Sequence, residues 1–178
     1  MSITELAPAK LNLTLDVGAR RPDGYHEITS VMQSAALYDV VTLETVETDD
    51  IVVECPGTDL PTGPDNLAWK AADVFFQETN ILHTGIFIRL EKKIPSQAGL
   101  GGGSSDAASV LRGMRRLFST NVSDEALEAM AARVGSDVPY CVRGGTALAR
   151  GRGERLTALS PLPMCWFVIV KPPVAHST

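Results

Sequence analysis

Between a strand-like and a helical stretch, the sequence runs Pro95-Ser96-Gln97-Ala98-Gly99-Leu100-Gly101-Gly102-Gly103-Ser104-Ser105. Gly99, Gly101, Gly102 and Gly103 have no Cβ, so successive amides can turn toward one point and a bulky anion can approach. Ala108, Leu111, Met114 and Phe118 follow at helical spacing. Ser104 and Ser105 are favoured N-cap types, so a helix is expected to open at them with its unpaired N–H groups facing the loop. The chemistry this offers is phosphate binding. A β-branched side chain at Gly102 is expected to take up the space that the phosphate needs.

Gly/Ser composition alone also describes a flexible linker. A linker, however, has no reason to follow the alternating Ile86, Ile88 and Leu90 and to lead at once into an apolar-faced helix. The P-loop pattern requires a lysine before its Ser/Thr, where this chain has Gly103. The dinucleotide fingerprint requires a strand with an acidic end after the helix, and none follows.

The elements that must hold the loop can be read from periodicity. Lys10 to Val17 alternates, with Leu11, Leu13, Leu15 and Val17 on one face and Lys10, Asn12, Thr14 and Asp16 on the other, as in a half-buried strand. Arg21-Pro22-Asp23-Gly24 supplies turn chemistry before a second extended stretch through Val31. Further strands are expected at Val40 to Val46, Ile51 to Cys55, Gly85 to Leu90, Gly144 to Ala149 and Trp166 to Val170. One helix is opened by Asp65-Asn66 and carries Leu67, Ala71, Val74 and Phe75; another runs from Ser123 to Gly135. Strands and helices cluster rather than alternate, which makes the fold α+β.

With 178 residues, 44% of them hydrophobic, the chain can bury a real core in one domain. The run Met164 to Val170 is too short to span a bilayer and the N-terminus has no basic-then-apolar leader pattern, so a cytoplasmic location without a membrane partner is expected. A net charge of −5 without long single-sign runs argues against a nucleic-acid surface. Cys55, Cys141 and Cys165 are widely spaced and lack CxxC pairing, so buried free thiols are expected rather than a metal site or disulfides.

Three separated segments, Pro8-Ala9-Lys10-Leu11-Asn12, the glycine loop with Ser104-Ser105-Asp106-Ala107-Ala108, and Gly135-Ser136-Asp137-Val138-Pro139, together resemble the GHMP kinases. Arg21-Pro22-Asp23-Gly24-Tyr25-His26 and Gly151-Arg152-Gly153-Glu154 narrow the resemblance to members whose acceptor alcohol bears cytidine diphosphate. It extends from about Ala7 to Pro172. It implies the family's N-terminal domain, of the ribosomal protein S5 domain 2-like fold: a mixed or antiparallel sheet with helices packed on it. Family members are longer and carry a second domain. Residues 1–172 are therefore expected to be the ATP-binding and catalytic domain and 173–178 the start of a connection.

The resemblance also implies roles. Asp137 would accept the proton of the substrate hydroxyl as it attacks the γ-phosphorus of ATP, and Lys10 would offset the charge that develops. Asn12 lies two residues from Lys10 on the same strand face and would help bind substrate. Tyr25 would stack on the cytosine and His26 would hydrogen-bond it. Residues Pro95, Ser96, Gln97, Ala98 and Gly99 through Ser105 would bind ATP, the backbone amides from Gly99 to Ser105 holding its phosphates and Ser104 or Ser105 reaching Mg²⁺, and Asn66, Leu67 and Lys92 would lie on the adenosine side. Two other functions compete: a related kinase of mevalonate, homoserine or a sugar, and a non-catalytic nucleotide-binding remnant.

Overall fold

The computed structural model describes residues 1–81 and 85–171. Its strands are β1 (Ser2–Arg20), β2 (His26–Val46), β3 (Ile51–Glu54), β4 (Gly85–Glu91), β5 (Thr146–Gly151) and β6 (Arg155–Ala158). Its helices are α1 (Leu67–Thr79), α2 (Gly102–Leu117), α3 (Asp124–Val134) and α4 (Val138–Arg143). The domain boundary expected at residues 172 and 173 lies outside the described residues.

One long strand organises the sheet. β2 pairs antiparallel with β1 along nearly its whole length, leaving its other edge to β4 at Val40–Val46 and to β5 at Ile28–Gln33. The sheet is mixed, because β3 runs parallel to β4 while every other pairing is antiparallel. The second extended stretch and the strand at Val40 to Val46, expected separately, are thus two parts of β2.

Between them β2 carries two residues without a partner on β1, where the register shifts at Pro8/Ala9. Across this irregularity the buried positions change from Ser30 and Met32 to Asp39, Val41 and Leu43. The helices cover one side of the sheet. Phe75 from α1, Leu111 and Met114 from α2 and Leu127 from α3 close over Val41, Leu43, Ile86 and Ile88 in a single core. Each such side chain contributes about 1.5–3 kcal/mol on burial.

The expected helix caps are present where side chains define them. Asn66 accepts from Ala68 N at 2.8 Å to start α1, and Ser123 accepts from Ala126 N at 3.2 Å to start α3. The glycine-loop helix differs from expectation. It begins at Gly102 with Gly101 as N-cap, so Ser104 and Ser105 lie in its first turn and cap nothing. Gly101 takes this place because its φ of +66° suits the turn into the helix, a backbone that a serine adopts only with strain.

Three other expectations are corrected. On β1, the face of Leu13, Leu15 and Val17 is exposed, at 37%, 54% and 58%, while Lys10 is buried at 6%. A bulge between Asn12 and Thr14 inserts one residue and shifts which side chains share a face, and beyond it β1 is exposed on both faces through Arg20. Trp166 to Val170 forms no strand: it lacks a ladder partner, Trp166 and Val168 are 93% exposed, and β6 already occupies the edge of β5. Finally, Cys55 and Cys141 are buried free thiols but Cys165 is exposed.

Candidate functional site

A cavity of about 770 Å³ opens between β1, the glycine loop, the start of α1 and the turn before α4. Its lining brings together Lys10, Asn12, Tyr25, Leu67, Asp137 and the loop from Pro95 through Ser104. The β1 bulge matters here. Even-numbered Lys10 and Asn12 and odd-numbered Leu15 and Val17 all line this one cavity because the alternation reverses between them.

The loop is anchored before it is shaped. Leu100 is buried against Ala9 and Ile94 in a small second core, and its carbonyl accepts from Lys10 N at 2.9 Å. Left-handed backbone at every second residue, Gln97, Gly99 and Gly101, coils the chain around the cavity. The first amides of α2, at Gly102, Gly103 and Ser104, have no intrahelical partner, and these residues line the cavity. At Gly102 an added Cβ would stand 3.1 Å from Ile94 Cγ2 and 3.4 Å from Lys92 Nζ, two side chains that themselves line the cavity, so a β-branched side chain there also presses on the wall beneath the loop. At Gly103 the nearest atom to an added Cβ is Leu67 Cδ1, at 3.6 Å on the cavity wall.

Opposite the loop, Lys10 Nζ lies 3.1 Å from Asp137 Oδ2, the lysine side chain being 7% and the aspartate 32% exposed. Asp137 occupies the N-cap of the short α4, yet its carboxylate makes no capping bond. A six-residue helix containing Pro139 has too little periodicity to be read from sequence, and α4 was not expected. Asn12 Oδ1 accepts from Ser30 Oγ at 3.1 Å, which orients its amide.

Other site candidates are placed differently. His26 is exposed at the start of β2 and outside the lining. Ser105 is fully buried, and its hydroxyl has no hydrogen-bond partner and no part in the lining. Asn66 lines the cavity, but its amide is committed to Ala68 N and to Pro61 O at 2.7 Å.

Lys92 also lines the cavity, with its ammonium paired to both Asp39 and Asp106. This buried cluster was not read from the sequence, where Asp106 appeared only as part of a motif. Asp39 Oδ1 also accepts from Ile94 N at 2.8 Å, which fixes the strand leading into the loop. The second oxygen of Asp106 is buried without a hydrogen-bond partner among the described residues. Burial pushes the Asp106 carboxyl up to about 7 despite the opposing pull of Lys92.

Taken together, the site can hold an anion on backbone amides and present a carboxylate balanced by an ammonium to a neighbouring hydroxyl. For Mg²⁺, the Ser104 hydroxyl on the first turn of α2 is a suitable hard-oxygen donor in the lining, whereas that of Ser105 is sealed beneath the loop.

Residues 66–145 match the family model described as the GHMP kinases N terminal domain. The 4-diphosphocytidyl-2-C-methyl-D-erythritol kinase of Enterococcus faecalis is 47% identical over 100% of this chain and 62% of its own length. That of Heliobacterium modesticaldum is 51% identical over 97% of this chain and 55% of its own. A crystal structure of 4-(cytidine 5'-diphospho)-2C-methyl-D-erythritol kinase is 43% identical with a TM-score of 0.74, over 90% of this chain and 56% of that one. Homoserine kinase from Cytophaga hutchinsonii, at 21% identity, TM-score 0.71 and coverage of 91% and 52%, shares the fold. The chain spans 55–62% of the length of these curated relatives.

Proposed function

Since the chain belongs to the GHMP kinases, whose N-terminal domain it carries, we propose that it is the ATP-binding, catalytic part of a kinase acting on 4-diphosphocytidyl-2-C-methyl-D-erythritol. The reaction transfers the γ-phosphoryl group of ATP to the 2-hydroxyl, giving the 2-phosphate and ADP, in non-mevalonate isoprenoid precursor synthesis. A cytoplasmic site of action belongs to the same reading. The observation that carries it is the Lys10–Asp137 pair, which faces the unpaired amides of α2 across a cavity that also holds Tyr25.

The reaction asks for alignment and charge stabilisation more than for a strong base. ATP lays its phosphates against the amides of the glycine loop and the first turn of α2. Ser104 would hold Mg²⁺, which when bound neutralises charge on the phosphates. Asp137 accepts the proton of the attacking hydroxyl, and Lys10 offsets the charge on the equatorial oxygens of the transferred group. Asn12 orients the acceptor alcohol. Tyr25 stacks on the cytosine, and His26, its neighbour at the start of β2, hydrogen-bonds the base. Leu67 flanks the adenosine, while Asn66 and Lys92 shape that side through their structural bonds.

Turnover of the full-length gene product with ATP should be measured on 4-diphosphocytidyl-2-C-methyl-D-erythritol, mevalonate and homoserine. The expected result is kcat/KM at least about 100-fold higher on the first, because a site built for a base loses that binding with small alcohols. Preference for mevalonate or homoserine would assign the site to a related kinase, and turnover on none of them would favour a non-catalytic nucleotide-binding role.

A further inference from the structure

The proposed reaction assigns groups to the base, the hydroxyl and the ATP phosphates, but none to the diphosphate that joins base to alcohol. From the structure we infer that Arg152 binds this diphosphate and so positions the acceptor. The inference rests on the functional reading above.

Arg152 lies in the tight turn between β5 and β6 and lines the cavity. Its guanidinium carbon stands 4.7 Å from the centroid of the Tyr25 ring. On the other side of the same turn, Gly153 passes Asp137: a Cβ on it would lie 3.8 Å from Asp137 Oδ1. Residues 152 and 153 therefore bridge the group proposed for the base and the group proposed for the reacting hydroxyl. A diphosphate spanning base and alcohol must cross this interval.

The turn is held rigidly without using the Arg152 side chain. Gly151 N donates to Glu27 Oε1 at 3.1 Å, Arg152 N donates to Glu154 Oε2 at 2.5 Å, and Gly153 N donates to Arg150 O at 3.2 Å. Glu27 is further engaged by Arg21, at 2.8 Å, and by Arg155. Arg21 and Arg155 are thus paired with carboxylates. Among the described residues Arg152 has no carboxylate partner, and its one recorded side-chain contact is the Tyr25 ring. An aromatic face attracts a cation but satisfies few of the five guanidinium donors, which leaves a fork suited to phosphate oxygens.

The test is calorimetric titration of the full-length gene product with cytidine 5'-diphosphate and with cytidine, for the wild type, Arg152→Ala and Arg152→Lys, with a thermal melt of each. Arg152→Ala is expected to weaken cytidine 5'-diphosphate binding about tenfold or more and cytidine binding less than threefold, since only the former loses a charge-assisted bond. Arg152→Lys, which keeps the charge but loses the planar fork, is expected to recover only part of the loss. Equal losses for the two ligands would show that Arg152 serves the ring and would overturn the inference, as would unchanged affinity for cytidine 5'-diphosphate. A wild-type protein that binds neither ligand would refute the functional reading itself, and this inference with it.

Discussion

Lys10 and Gly101 are fitted to one another: the lysine stem crosses the glycine so closely that a Cβ on Gly101 would lie 2.7 Å from Lys10 Cγ. Gly101 also has a φ of +66°, which disfavours any side chain. Gly101→Ala is therefore expected to cost about 1–2 kcal/mol from the backbone alone and to push the Lys10 ammonium away from Asp137. Thermal melts and turnover read the two effects. A fall of several degrees with at least about tenfold lower kcat is expected, and normal values of both would show that the loop yields without disturbing Lys10.

Gly102 and Gly103 are adjacent but face different surroundings. An added Cβ at Gly103 makes an ordinary 3.6 Å contact with Leu67 on the cavity wall, whereas one at Gly102 stands 3.1 Å from Ile94 and 3.4 Å from Lys92. Gly103→Val should weaken ATP binding about tenfold or more with little change in melting temperature, and Gly102→Val should mainly destabilise the fold. Nucleotide titration beside thermal melts separates them, and the reverse pattern would place the phosphate elsewhere.

Asp106 makes stability depend on pH with a defined sign. Its carboxyl, pushed up to about 7 by burial, binds a proton more tightly in the folded chain than in the unfolded one. The resulting stabilisation is complete below about pH 4 and is lost as the pH rises through 7. Asp106→Asn removes this dependence. Between pH 5 and pH 8 the wild type should lose roughly 4 °C or more of melting temperature relative to the variant, each kcal/mol being worth about 2–4 °C. Parallel profiles would mean that Lys92 keeps Asp106 charged throughout.

How far the sequence speaks for itself differs from element to element. α1 and α3 are legible because Asn66 and Ser123 mark their starts chemically and their apolar faces repeat. The glycine loop is legible as a tight turn into a helix for steric reasons, since Gly99 and Gly101 take left-handed backbone there. By contrast, Leu15 and Val17 have a half-buried strand's alternation yet are exposed, because this end of β1 is exposed on both faces, a tertiary outcome with no local signal. Trp166 to Val170 has a strand's composition, but a strand exists only through its partner. The Lys92 cluster joins Asp39 and Asp106 from β2 and α2, a contact that no local spacing encodes.

Tyr25 and His26 are neighbours in sequence with unequal places in the structure, since only Tyr25 lines the cavity. Tyr25→Ala should weaken cytidine binding about tenfold, in keeping with roughly 1–3 kcal/mol for a stacked base. His26→Ala should cost less. A larger loss at His26 would show that the base approaches from the outer side of β2.

Asp137→Asn in the full-length gene product tests the proposed centre most directly, with turnover and ATP affinity measured on one preparation. The substitution preserves shape and removes the proton acceptor that stands 3.1 Å from Lys10. A fall in kcat of about 100-fold or more with ATP affinity within about twofold is the expected result, because loop amides rather than Asp137 hold the nucleotide. Turnover near that of the wild type would contradict it and remove Asp137 from the chemistry.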